Sequence, residues 1–142
     1  MKFLKASISI LLAVSISQVC YAFSKPPSVQ ADTCPTETSI IQTGSTYTAP
    51  GGWTGVVQSK AGKVKIFDNV LYKPKDTQHP FKEGTLLRCS YQLDNGQFLD
   101  LRLPESSSKA RIINSENWES IYAGHQYDCH KSRLACEFNL AK

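Results

Sequence analysis

Between Leu86 and Leu103 apolar and polar residues alternate in two runs, Leu86-Leu87-Arg88-Cys89-Ser90-Tyr91-Gln92-Leu93 and Gln97-Phe98-Leu99-Asp100-Leu101-Arg102-Leu103, separated by Asp94-Asn95-Gly96. Period-2 alternation on both sides of an Asn-Gly turn predicts a β-hairpin. Register then decides the turn. A two-residue turn sets Leu93 opposite Phe98 but Tyr91 opposite Asp100, so apolar residues of one strand meet the polar face of the other. A three-residue loop, with Gly96 left-handed and a G1 bulge, instead sets Tyr91 opposite Leu99, Cys89 opposite Leu101 and Leu87 opposite Leu103. One face is then apolar, and Arg88, Ser90, Asp100 and Arg102 share the other, as a half-buried antiparallel sheet requires. A slip of one residue would invert every side chain, so this register is strongly specified.

The same period appears in shorter pieces along the chain. Ser39-Ile40-Ile41-Gln42 reads as a first strand entered from Cys34-Pro35. Tyr47 to Val57 reads as two extended pieces about Pro50-Gly51, a type II turn pair that places Trp53 on the buried face. Val64 and Ile66 are expected to face in and Lys63 and Lys65 out, with Asp68-Asn69 and Lys73-Pro74-Lys75-Asp76 interrupting the chain on either side of a short Val70-Leu71-Tyr72 segment. Ala110 to Ile113 reads as a strand. Asn114-Ser115 offers a helix N-cap before Trp118, Ile121 and Tyr122 at helical spacing, although a strand also fits there. Short strands separated by Gly, Pro and Asn turns predict a mainly antiparallel β domain, a small sandwich or partly closed barrel with at most one short helix.

The first residues change this picture only by leaving it. Lys2 and Lys5, the apolar and small residues Ala6 to Val19, and Cys20-Tyr21-Ala22 read as a signal peptide over 1–22 cleaved after Ala22. Residues 23–33 read as a flexible leader, and 34–142 as one β domain. Cleavage removes Cys20 and leaves Cys34, Cys89, Cys129 and Cys136, an even set that predicts two disulfides in a secreted or periplasmic protein. Three pairings are possible; Cys34 with Cys89 and Cys129 with Cys136 are favoured, the first tying the N-terminus to the hairpin. Without Lys2 and Lys5, fourteen of the sixteen Lys and Arg remain against twelve Asp and Glu, a net charge near +2 that does not suggest a nucleic-acid binder. No later segment reads as a membrane span.

Taken together, Cys34-Pro35, Ala49-Pro50-Gly51-Gly52-Trp53-Thr54-Gly55, Cys89-Ser90-Tyr91 and Cys129 with Cys136-Glu137-Phe138 resemble the domain-of-unknown-function family numbered 3757, small exported bacterial proteins. The resemblance covers nearly all of the mature chain. It implies a bacterial, exported origin, and it carries over neither an activity nor a catalytic residue.

Residue chemistry points away from catalysis. No serine sits in a Gly-x-Ser-x-Gly elbow, and the mature cysteines are claimed by disulfides. His125, Asp128 and His130 offer imidazole and carboxylate at a spacing that matches no closed metal site, and Glu116 with Glu119 describes an ordinary solvated face. Neither a cofactor nor a metal is expected. Two binding surfaces are. Tyr47, Trp53, Tyr72, Trp118 and Tyr122 would include an aromatic glycan platform if exposed, with both tryptophans filling the core if not. Lysines 60, 63, 65, 73, 75 and 82, with Lys63 and Lys65 foremost, would either protect a β edge or attract an anionic envelope component, glycan or protein. The expected function is an exported, non-enzymatic β module that binds a macromolecular partner, with a small glycan-binding protein as the alternative.

Overall fold

The computed structural model describes residues 30–142, so the signal peptide read at 1–22 and most of the leader lie outside the described residues. Ten strands run in order: β1 (Ile41–Thr43), β2 (Thr46–Ala49), β3 (Trp53–Val56), β4 (Val64–Pro74), β5 (Gly84–Leu93), β6 (Phe98–Leu101), β7 (Lys109–Ile112), β8 (Glu119–Ile121), β9 (Gln126–Cys129) and β10 (Phe138–Leu140). All pair antiparallel. One sheet runs β1-β2-β3, and the other runs β10-β7-β5-β4-β9-β8 with β6 also on β5. The two are joined: Thr54 N donates to Arg102 O at 3.0 Å and Arg102 N to Thr54 O at 2.8 Å, which lays β3 against the β6 end. The result is a curled half-barrel with a small sheet, of the mainly β class that the alternation predicts.

The hairpin takes the three-residue loop. Tyr91 faces Leu99 and Cys89 faces Leu101, all four with no exposure, and Gly96 sits at φ 82°. Leu93 N donates to Gln97 O at 2.8 Å and Gly96 N to Leu93 O at 3.1 Å. The expected Leu87–Leu103 pair is not made. β4 pairs Leu71 with Arg88 and then Tyr72 with Leu86, so Leu87 is an extra residue, and this bulge reverses the phase below it. Leu86 turns into the core at 3% exposure, and Leu87 is only half-buried.

β4 corrects two further expectations. It runs unbroken for 11 residues through Asp68-Asn69, and shifts at Val64/Ile66 and Phe67/Asn69 absorb Lys65 and Asp68 as bulges. Ile66 consequently faces out at 53% exposure, and Phe67 takes the core position. Gly55 lets the backbone of β6 approach β3, since a Cβ there would lie 2.5 Å from Asp100 O. The helix expected near Trp118 is strand β8 between two 3₁₀ turns, Ser115–Asn117 and Tyr122–Gly124. Asn114, Tyr122 and Ala123 have φ of 53°, 49° and 54°, left-handed values that a right-handed helix does not contain. The Trp118 ring packs edge-on against Tyr72, centroids 6.3 Å apart.

Disulfides join Cys34 to Cys89 and Cys129 to Cys136. The packed chain starts earlier than residue 34. Asp32 and Phe138 exchange backbone bonds of 2.8 and 3.1 Å, and Leu140 N donates to Asp32 Oδ2 at 2.9 Å. Glu37–Ser39 forms a 3₁₀ turn, so the first strand is shorter and later than the apolar pattern implies.

Candidate functional site

Cations gather at one end of the central strands, and the pairing registers show why. Lys73 on β4 lies opposite Thr85 on β5, and Thr85 lies opposite Lys109 on β7. Directly paired residues share a face, so Lys73, Thr85 and Lys109 form a row across the outside of the sheet. The next residues inward, Pro74, Gly84 and Ala110, pair in the same order and are all buried. One step further Lys75, Glu83 and Arg111 make a second outward row. Lys75 N donates to Glu83 O at 3.0 Å, and Arg111 pairs with Asn139 on β10. Lys82 adds a fifth cation beside them.

Two shallow depressions on this face share Glu83 and Lys109: one, about 330 Å³, is lined by Lys73, Lys75, Glu83, Thr85 and Lys109; the other, about 230 Å³, is lined by Lys82, Glu83, Lys109, Arg111 and Asn139 with Ala110, Leu140 and Ala141. A further one, about 350 Å³, opens over the adjoining loop between Lys75, Asp76, His79, Lys82 and Glu83. Neutralisation is slight. Lys75 Nζ meets Glu83 Oε1 at 3.2 Å, but the two side chains are 70% and 55% exposed, and such surface pairs contribute little. Asp76 is occupied by His79 at 3.0 Å, a contact that with the Gln78 amide holds its carboxyl below the usual range. With Asn139 oriented to satisfy its neighbours, its amide oxygen accepts from Arg111 Nη2 at 3.1 Å.

The scaffold beneath is buried and hydrogen-bonded. Tyr72 has no exposure, and its hydroxyl donates to Pro80 O at 2.8 Å, pinning the 75–83 loop. Burial first, then the Glu83 carboxylate, push its phenol up to about 12. Gly84 is required here, because a Cβ would collide with the Tyr72 ring and Lys73 O.

Farther along the same outer face the charges answer one another. Asp100 accepts from Ser90 Oγ at 2.6 Å and from Arg88 Nη1 at 3.2 Å, and Asp128 Oδ2 pairs with His130 Nε2 at 2.8 Å. Burial, outweighing His130 and Arg88, lifts the Asp128 carboxyl above its ordinary 3.8. His125 is exposed after the turn before β9, and Glu116 lies in a 3₁₀ turn while Glu119 lies on β8, so the solvated helical face read for that pair does not form.

The aromatic platform is corrected. Tyr47, Tyr72, Trp53 and Trp118 are 0, 0, 5 and 6% exposed and fill the core, so of the five rings Tyr122 alone is exposed and no platform forms. The lysine run divides. Lys60, Lys63 and Lys65 precede or begin β4, and Lys73, Lys75 and Lys82 extend from its far end, on the order of 30 Å away at ~3.3 Å per residue. Lys63 and Lys65 flank a stretch of β4 that β9 does not reach, where Phe67 N is met by Glu37 Oε1 at 2.9 Å instead of by a strand. Outward lysines there discourage edge pairing. Lys109 and Arg111 carry no signal of their own in the sequence, since only strand pairing brings them to Lys73.

No curated protein and no solved structure matches the chain. The family model for proteins of unknown function designated DUF3757 matches residues 28–139, which include every described strand except the last residue of β10. The chain belongs to that family.

Proposed function

We propose that this protein is an exported, non-enzymatic β module that binds an anionic polysaccharide of the cell envelope through the basic end of β4, β5 and β7. The observation that carries the reading is the double row Lys73–Thr85–Lys109 and Lys75–Glu83–Arg111, with one carboxylate among four cations. A surplus of like charge on one face concentrates counter-charged polymer and destabilises the fold by self-repulsion, so it has a cost that a binding role accounts for. Two disulfides fit an oxidising compartment outside the cytoplasm. A charged face whose two depressions are lined by cations and by no aromatic ring suits a charged chain better than a neutral sugar.

Affinity electrophoresis of the purified protein through polygalacturonate, with dextran as the neutral counterpart, tests this. The anionic polymer is expected to retard the protein, and more so at low salt. Lys73→Glu/Lys109→Glu should abolish the retardation, and Lys63→Glu/Lys65→Glu should largely spare it. Equal retardation by dextran, or none by either polymer, would refute the reading.

A further inference from the structure

Resting on that reading, we infer that the depression over Thr85 is a discrete subsite for a tetrahedral oxyanion, a sulfate or phosphate ester carried by the polymer. Lys73 and Lys109 stand on either side of Thr85, two strand spacings or roughly 9.5 Å apart at the backbone, and Lys75 borders the same depression. Flexible lysine stems let the Lys73 and Lys109 ammonium groups lean toward one point between them, Lys75 joins them by leaving its exposed contact with Glu83, and the half-buried Thr85 hydroxyl supplies a further donor there. Three ammonium groups and a hydroxyl suit an ester with three terminal oxygens. A planar carboxylate, with two oxygens, matches the fixed fork of an arginine better. The one arginine of the basic face, Arg111, belongs to the other depression and is engaged with Asn139.

Glu83 bounds the subsite and sets its selectivity. Its carboxylate repels a second anion between the two depressions, so the face admits one ester rather than a dense run of them. A lipid surface is the poorer source of such an ester. The large exposed apolar side chains, Ile41, Val56, Ile66, Phe98, Tyr122 and Leu134, line neither depression, and the apolar lining of the second, Ala110, Ala141 and the half-buried Leu140, offers no large exposed side chain to anchor in acyl chains.

The test pairs dextran sulfate with polygalacturonate, matched in charge per sugar, on the wild type and on Thr85→Val, which keeps shape and charge and removes only the hydroxyl. Calorimetry is expected to show wild type preferring the sulfated polymer. Thr85→Val should reduce that preference about tenfold, the scale of one hydrogen bond to a charged group, with the salt dependence unchanged. Inorganic sulfate alone should shift the backbone amide resonances of Gly84, Thr85 and Lys109 in the wild type, and vesicles of anionic phospholipid should not bind. Glu83→Gln should tighten binding of both polymers. Thr85→Val binding both polymers as wild type does, or amides undisturbed by sulfate, would overturn the subsite and leave diffuse attraction standing. Vesicles binding as well as the sulfated polymer would overturn the choice of ester. Binding of neither polymer would overturn the functional reading itself.

Discussion

β5 is bonded differently in its two halves, and the contrast separates what holds this protein together from the face proposed to bind a partner. From Cys89 to Gln92 the strand pairs with β6; its inner residues Cys89 and Tyr91 have no exposure, and Cys89 carries the bond to Cys34. On the outer side of that half, Ser90, Arg88 and Asp100 are bonded to one another. At Gly84 and Thr85 the strand pairs instead with β7, its inner position has no side chain, and its outer side lies between Lys73 and Lys109, which form no ion pair among the described residues, while Lys75 meets Glu83. Charges that neutralise each other on the same sheet serve structure. Charges left in surplus on it are available for binding.

That contrast predicts an ordered series of losses. Removing the Cys34–Cys89 bond by double alanine substitution should cost about 4 kcal/mol by loop-closure entropy, against about 2.5 kcal/mol for Cys129–Cys136, whose loop is shorter. Urea unfolding of the two variants measures both, and equal losses would mean that the hairpin half is not the more constrained. Leu101→Ala should cost about 2 to 4 kcal/mol, while Arg102→Ala, on the solvated side and 57% exposed, should cost less than about 1 kcal/mol. Similar losses would contradict the one-sided burial of β6. Gly96→Val should cost about 1 to 2 kcal/mol through positive φ alone, since a Cβ there meets nothing within 4 Å.

A pH prediction probes the self-paired region. Burial raises the Asp128 carboxyl, so the folded state favours its protonated form. The contribution from this group is complete below the unfolded value of 3.8 and is lost as pH rises through the higher folded one. Asp128→Asn should therefore gain stability relative to wild type between acidic and neutral pH. A difference that stays constant across that range would show that Asp128 is not raised. Smallest of all, Lys73→Ala and Lys109→Ala should each change unfolding free energy by less than about 0.5 kcal/mol.

The register of the hairpin was legible because alternation, turn length and the Asp94-Asn95-Gly96 loop all specify the same pairing. The bulges were not. At Ile66-Phe67 and Leu86-Leu87 two apolar residues stand side by side, so either can face the core, and only the extra residues Lys65, Asp68 and Leu87 decide which does. The helical spacing of Trp118, Ile121 and Tyr122 misled because Trp118 is drawn to Tyr72 while Glu119–Ile121 finds a ladder on β9. The basic site was half legible. Lys73 and Lys75 stood in a lysine run, but β4 spreads that run to opposite ends of the sheet, and β7 brings in Lys109 and Arg111 from distant sequence.

The central claim is that binding belongs to the basic end and stability to the hairpin half. Hydrogen exchange of the backbone amides, read with and without saturating dextran sulfate, tests it most directly. Exchange is expected to slow in peptides spanning residues 73–85 and 109–111, and to stay unchanged in those spanning 60–65 and 89–101. Slowing confined to residues 60–65 would place the site at the wrong end of β4 and contradict the account.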